Sequence, residues 1–457
     1  MNEGNHNFER VLSKKDIIAL AFGAMIGWGW VVLTGEWIMM AGTLGAILGF
    51  VFGGIMVLFV GLIYAELTSA MPQCGGEHVF SYRALGEKAS FFCTWAIVLG
   101  YISVVAFEAV AFPTVIEYLF PAYLKGYMYS VASYDIYFTW VIVGSVSSII
   151  ITFVNYIGVK PAAFFQGIAT IMILIVGLML FTGAIFSGHS GNITPLFSNG
   201  KSGILAVTLM TPFLYVGFDV IPQAAEEINV PFNTIGKIII LSLVMAIAWY
   251  TMMIYSTSVG LSYEELSQSK LATADAMKNI YNSPIASKII IIGGIGGILT
   301  SWNSFFVGGS RAIYAMAESK MLPSFLAKFH PKYKTPVNAI LLIGLISTLS
   351  PLLGRRMLVW LTNAGSLGIV NSYLMVSISF LVLRRKEPNL DRPYKVKYYK
   401  LVGIMAIILC SAMIILYLPG QPSSLIMAEW AIVIGWIIFG IILYTYTKIK
   451  NRKANLS

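Results

Sequence analysis

The run Gly23-Ala24-Met25-Ile26-Gly27-Trp28-Gly29-Trp30 sits in the middle of the first long apolar stretch, between Asp16 and Glu36. Glycine is costly there, since each one loses roughly 1 kcal/mol against alanine in a helix interior. What it gains is freedom for the backbone to leave helical geometry, or room for another group to approach it. In lipid, broken backbone persists only where it faces protein or a water-filled cavity. The stretch is therefore either a packing face or a ligand site, and the rest of the chain decides between them.

Of the 457 residues, 58% are hydrophobic and 11% charged. A soluble domain carries about 25% charged residues, so this is an integral membrane protein. A crossing needs about 20 apolar residues. Runs of that kind cover 17–40, 44–70, 90–118, 137–156, 162–186, 203–225, 235–261, 285–316, 337–353, 357–383, 401–418 and 428–446. The expected fold is an all-α membrane protein of twelve transmembrane helices. Its N-terminal segment is 1–16, its first five helices span 17–186, and its second five span 203–383. A basic loop at 384–400 leads to two accessory helices at 401–446 and a tail at 447–457. The longest outer loop, 262–284, has room for a short helix. The first apolar run is too long for a cleavable signal peptide.

Charge placement sets the expected orientation. With the N-terminus inside, every Lys and Arg falls on the inner side except Lys125, Lys201, Lys270, Lys278, Lys288, Arg355 and Arg356. That bias follows the positive-inside rule and puts both termini in the cytoplasm of a cell-membrane protein. The net charge of +10 sits in short segments between apolar runs, which argues against nucleic acid as a partner. Cys74, Cys93 and Cys410 lie far apart, and His6, His78, His189 and His330 fall in or beside loops. Neither set has metal-ligand spacing, so no metal and no cofactor is expected.

A second interruption lies in the sixth run, at Thr211-Pro212-Phe213-Leu214-Tyr215-Val216-Gly217-Phe218-Asp219-Val220-Ile221-Pro222. Interrupted spans at matching places in two halves point to a transporter site near mid-membrane. The first and sixth spans match, so the repeat unit is five helices. An odd number makes the two units inverted relative to each other. Broken helices leave N–H groups free for an anionic group and carbonyls free for an ammonium or a cation. A zwitterion needs both.

From Lys14 to about Lys397 the chain resembles the amino acid–polyamine–organocation permeases. The resemblance begins with Gly23-Ala24-Met25-Ile26-Gly27-Trp28-Gly29. It continues through Tyr64-Ala65-Glu66-Leu67, Met71-Pro72 and Gly75-Gly76-Glu77-His78-Val79-Phe80. Gly217-Phe218-Asp219, Ala225-Glu226-Glu227-Ile228-Asn229 and Pro231 follow, then Ser310-Arg311-Ala312-Ile313-Tyr314-Ala315-Met316-Ala317, Met321-Leu322-Pro323 and Thr335-Pro336. The resemblance implies ten helices in two inverted repeats, plus two more, and transport of amino acids or related amines. It implies that a substrate carboxylate meets N–H groups around Ile26, Gly27, Trp28 and Gly29. The amine meets carbonyls near Phe213, Leu214, Tyr215 and Val216, next to Gly217. Phe213 is the implied aromatic gate and Asp219 the implied coupling residue. Two departures stand out. Trp28 and Trp30 replace small or aliphatic residues, and Trp28 should shrink or reshape the pocket. Where some relatives carry a lysine in the fifth span, the matched position is Met172.

Other residues read two ways. Glu108 lies inside the third span, where a charge costs about 2.5–3.5 kcal/mol on insertion scales. It is either a substrate-amine or proton-coupling group, or a protonated carboxyl bonded to a neighbouring helix. Asp219 couples protons or caps the second half-helix. Glu66, Glu226, Glu227 and Arg311 are expected to form ion pairs at the inner ends of spans. Gly293-Gly294-Ile295-Gly296-Gly297 lacks the strand a phosphate loop needs and reads as close helix packing. One of Trp302, Asn303, Phe305 and Phe306 is expected at the pocket.

These readings converge on a secondary transporter of amino acids working by alternating access, as a proton-coupled importer or an exchanger. The alternative substrate is a polyamine or other organic amine. The partners are that small molecule, a proton and the lipid bilayer. An enzyme would show clustered His, Cys or paired acids, and a channel a repeated selectivity loop; neither pattern is present.

Overall fold

The computed structural model describes residues 8–131, 134–421 and 424–454. His6 and the extreme ends of the N-terminal segment and the tail lie outside the described residues. Among the described residues, eleven helices are long and apolar enough to cross a membrane. In chain order they are Lys14–Val32, Thr43–Ala70, Glu87–Leu119, Phe138–Tyr156, Ala162–Ser187, Gly200–Gln223, Phe232–Gly260, Pro284–Glu318, Met357–Lys386, Tyr399–Tyr417 and Met427–Arg452. Each follows one of the expected runs. The ninth run, Val337–Leu353, is a shorter apolar segment that ends in a 3-10 turn carrying Pro351. The chain is a helical, multi-pass membrane protein, and the ordinal names of the runs are kept for its spans below.

Both expected breaks are present. The first span is helical over Lys14–Met25, loses helical geometry at Ile26, and resumes at Gly29–Val32 and Thr34–Ala41. Its start is fixed by Ser13 and Asp16, whose side chains and backbone N–H groups satisfy one another in a capping box. The sixth span runs Gly200–Tyr215, breaks through 216–219, and closes with the single turn Val220–Gln223. Gly217 holds φ +137° at the break, a backbone that side-chain-bearing residues rarely adopt.

The third span lies at the centre, with 89% of its apolar window buried, packed against the eighth and tenth spans. The last span has 17% of its apolar window buried and the one before it 28%. Two loops hold more structure than the sequence reading gave them. Tyr127–Val131 and Tyr134–Tyr137 pair as an antiparallel hairpin between the third and fourth spans. The loop before the eighth span holds two short helices, Tyr263–Gln268 and Ala272–Tyr281.

Of the acidic residues expected in ion pairs, Glu66 and Glu227 form them and Glu226, among the described residues, does not. Glu66 meets Arg384 at 2.5 Å and Arg392 at 3.1 Å, and it accepts from the Val396 N–H at 2.7 Å. Glu227 meets Arg311 at 2.9 Å, and Glu226 accepts from the Cys74 N–H at 3.1 Å. Charges taken out of water persist only when paired and hydrogen-bonded. The basic loop is thereby folded onto the C-terminal end of the second span through Glu66.

Candidate functional site

The two breaks meet. A Cβ on Gly217 would lie 2.6 Å from the Ala24 Cβ and 2.9 Å from the Met25 nitrogen, so the sixth span crosses the first in direct backbone contact. Tyr250, from the seventh span, bridges them. Its hydroxyl reaches the Met25 carbonyl at 2.7 Å and the Leu214 carbonyl at 3.3 Å. The eighth span carries the glycines that let this junction close. A Cβ on Gly297 would lie 2.6 Å from the Gly27 carbonyl oxygen, and one on Gly294 would overlap the Trp28 ring. The glycine cluster is close helix packing, and what it packs is the first break.

Glu108 lies directly under that break. The Ser301 hydroxyl donates to its Oε1, and a Cβ on Gly27 would come within 2.8 Å of the same oxygen. The Glu108 Oε2 is buried with no hydrogen-bond partner. Glu108 thus lies against the region of the first break expected to receive a substrate carboxylate.

The residues of the sixth break divide by direction. Phe213 sits 5.6 Å from the Phe107 ring and against Gly365 of the tenth span. The Leu214 carbonyl is taken by Tyr250. The Tyr215 hydroxyl points away from the crossing and donates to the Phe50 carbonyl at 3.0 Å. The Val216 N–H still bonds the Pro212 carbonyl, so the helix closes at Val216, directly before Gly217. Asp219 does not cap the following turn with its side chain. Its Oδ1 instead accepts from the Gly217 N–H at 2.8 Å, and its Oδ2 from the Tyr373 hydroxyl at 3.2 Å. The capping reading is therefore replaced by a carboxyl that holds the break and faces the tenth span. Ile26, Trp28, Glu108, Phe213, Leu214, Tyr215 and Val216 are all buried, as are Gly27, Gly29 and Gly217.

The two departures resolve differently. The Trp28 ring lies over Gly294 rather than in open space, so a glycine in the eighth span makes room for the indole. Trp30 meets the Trp249 ring edge-on at 5.4 Å and belongs to the helix packing. In the fifth span, Met172 is 37% exposed, and side chains of that span other than Met172 reach the first span. The side chains there are Gln166 and Thr170, which would lie 2.7 Å and 2.9 Å from a Cβ on Gly23. Gln166 donates to the Ala19 carbonyl at 3.1 Å and to the Ser304 hydroxyl at 3.0 Å. Among the expected pocket residues of the eighth span, Trp302 turns to Ser347 and Asn303 to Gln166 and Asn155. Ser301, the residue that touches Glu108, escaped the sequence reading, as did Tyr250 and Gln166.

Tyr250→Phe is expected to destabilise the protein by about 1–3 kcal/mol, the cost of leaving buried acceptors unpaired. A lower thermal midpoint of the purified protein would register it. An unchanged midpoint would remove Tyr250 from the junction.

Comparison with known proteins agrees with this geometry. A family model described as amino acid permease matches residues 12–443, which takes in both breaks, Glu108 and Asp219. The branched-chain amino acid permease BcaP of Bacillus subtilis is 28% identical, with 99% of this chain and 96% of that protein aligned. The methylthioribose transporter of the same organism is 26% identical over 98% of this chain and 95% of its own length. Cationic amino acid transporter 4 of Mus musculus is 28% identical over 84% of this chain, which covers 61% of that longer protein. A match that runs through nearly every span, on a chain whose first and sixth helices break and touch, leaves one conclusion: the chain belongs to the amino acid permease family.

Proposed function

We propose that this protein is a secondary active transporter that carries amino acids across the cell membrane by alternating access, with both termini in the cytoplasm. It works as a proton-coupled importer or as an exchanger. Twelve helices, the first ten as two inverted repeats of five, form its frame. The observation that carries the reading is the direct contact of two helix breaks over a buried, half-satisfied carboxyl, Glu108. A zwitterion inserted at this crossing would find N–H groups at Ile26–Gly29 and carbonyls at Phe213–Val216. It would displace contacts that Glu108 and Tyr250 now make. Asp219, turned to Tyr373 on the other side of the break, is the coupling residue.

Relatives that carry branched-chain and cationic amino acids frame the choice of substrate. Among the described residues Glu108 is the carboxyl placed against the first break, and Asp219 is engaged elsewhere. Glu108 and Asp219 are thus not brought together to hold the two ends of a polycation, which favours amino acids over polyamines. Glu108→Gln is expected to weaken a cationic amino acid such as lysine far more than a neutral one such as leucine. A charge-assisted hydrogen bond contributes about 1.5–3 kcal/mol, equivalent to roughly 10–100-fold in affinity. Uptake into proteoliposomes, screened over all amino acids and common amines with and without a pH gradient, tests both the function and this residue. Equal losses for lysine and leucine would sink the amine role of Glu108. No uptake of any amino acid would sink the reading as a whole.

A further inference from the structure

A second buried carboxyl stands near Asp219, and the transport scheme above leaves it unused. Glu77 opens the short helix Glu77–Leu85 between the second and third spans, and it is fully buried. The preceding Gly76 packs against the sixth-span turn: a Cβ there would lie 3.1 Å from the Gln223 Nε2 and from the Pro222 Cβ. Gln223 sits one helical turn beyond Asp219, and its Nε2 donates to the Glu77 Oε2. Tyr101 donates to the Asp219 carbonyl at 3.3 Å and also faces Gln223. Tyr64 faces Glu77, and its ring lies 5.7 Å from that of Tyr373, whose hydroxyl donates to Asp219. One shell of three tyrosines and a glutamine therefore encloses both carboxyls.

No cation completes that shell. Among the described residues, neither Glu77 nor Asp219 takes part in an ion pair. The other titratable groups facing it are the Cys93 thiol of the third span, near Glu77, and the Cys410 thiol of the eleventh, near Tyr373. His78, next in sequence, turns its ring to Ser319 at 2.7 Å and to Ser90 at 3.1 Å. Burial holds its imidazole down to about 4, so it is neutral and supplies no positive charge. Three polar atoms in the shell, Glu77 Oε1, Tyr64 Oη and Gln223 Oε1, are buried without a hydrogen-bond partner. Burial and the Asp219 charge push the Glu77 carboxyl well above its ordinary range.

We infer that Glu77 and Asp219 form one proton-binding pair, which holds a single proton between them whenever the site is closed. The physical reason is repulsion. Two carboxylates that share a dry site cannot both stay ionised, and a buried charge without a partner costs several kcal/mol. The orphan oxygens give the proton somewhere to be donated. In the cycle, a proton from the water of the open form binds one of two ionised carboxyls. The closed form carries it as one COOH and one carboxylate. Opening to the other side releases it to water and restores both carboxylates. The inference rests on Asp219 being the coupling residue and adds the partner it titrates with.

Coupled acids shift each other reciprocally, and that is what the experiment reads. The purified protein, reconstituted in lipid, is titrated with pH while infrared difference spectra follow the protonated-carboxyl band. A Glu108→Gln background removes the third carboxyl of the site region. Asp219→Asn is expected to lower the midpoint of the remaining Glu77 carboxyl by about one pH unit or more, because the like charge is gone. Glu77→Gln is expected to lower that of Asp219 in the same way, so either variant suffices if the other fails to fold. Midpoints that stay where they were overturn the pair and leave Asp219 as a lone coupling residue. Uptake driven by a pH gradient that survives Asp219→Asn overturns the coupling role itself, whatever the spectra show.

Discussion

Asp219→Asn is expected to abolish amino acid accumulation driven by a pH gradient, while exchange of internal for external amino acid persists at a reduced rate. The substitution is nearly isosteric, and its consequences can be separated atom by atom. The Asn side-chain oxygen can still accept from the Gly217 N–H, which Asp219 Oδ1 now does at 2.8 Å. The amide nitrogen replaces Oδ2, which accepts from Tyr373, so that contact turns from acceptor to donor. The break therefore keeps its shape, and the loss is one titratable proton. A gradient of about one pH unit stores about 1.4 kcal/mol per proton and supports roughly tenfold accumulation. The variant should equilibrate its substrate without concentrating it. Proteoliposomes loaded at a higher pH than the bath give the measurement, with counterflow of preloaded amino acid as the exchange control. Undiminished accumulation would rule Asp219 out and hand the coupling role to Glu108.

How much of this was readable beforehand depended on how far apart the partners lie in the chain. The breaks were legible because glycine, proline and aspartate inside an apolar run violate what lipid requires of backbone. That signal is local, and it located Ile26–Gly29 and Val216–Asp219 correctly. Glu108 was legible because a carboxyl inside a span is costly wherever it points. Tyr250 gave no such signal. An aromatic residue in an apolar run looks like core, and its acceptor, the Met25 carbonyl, is 225 residues away. Ser301 and Gln166 failed for the same reason, since each is a small or neutral polar residue whose partner sits on another helix. The hairpin at Tyr127–Tyr137 did carry a signal, the alternating Tyr127, Tyr129 and then Tyr134, Ile136, which marks strand. Its position between two long spans made it look like a plain loop.

The crossing itself is best tested at Gly217. Alanine there is expected to lower uptake to less than about a tenth of the wild-type rate while leaving the protein folded in the membrane. Two costs add. The backbone at φ +137° strains any residue with a Cβ, at about 1–3 kcal/mol. The new methyl would also meet the Ala24 Cβ at 2.6 Å and the Met25 nitrogen at 2.9 Å. Overpacking of that kind costs about 1–3 kcal/mol. Neither neighbour is the far end of a flexible chain, so relief must come from parting the two breaks, and the site lies between them. Strain and clash can be told apart with Gly86→Ala. Gly86 also has a positive φ, +86°, but a Cβ added there meets nothing within 4 Å. It lies at the inner junction of the short helix and the third span, away from the crossing. If Gly86→Ala keeps uptake and Gly217→Ala loses it at equal membrane abundance, the close approach of the two breaks is what transport needs. Normal uptake by Gly217→Ala would show that the first and sixth spans work without touching, and the site would have to be sought elsewhere.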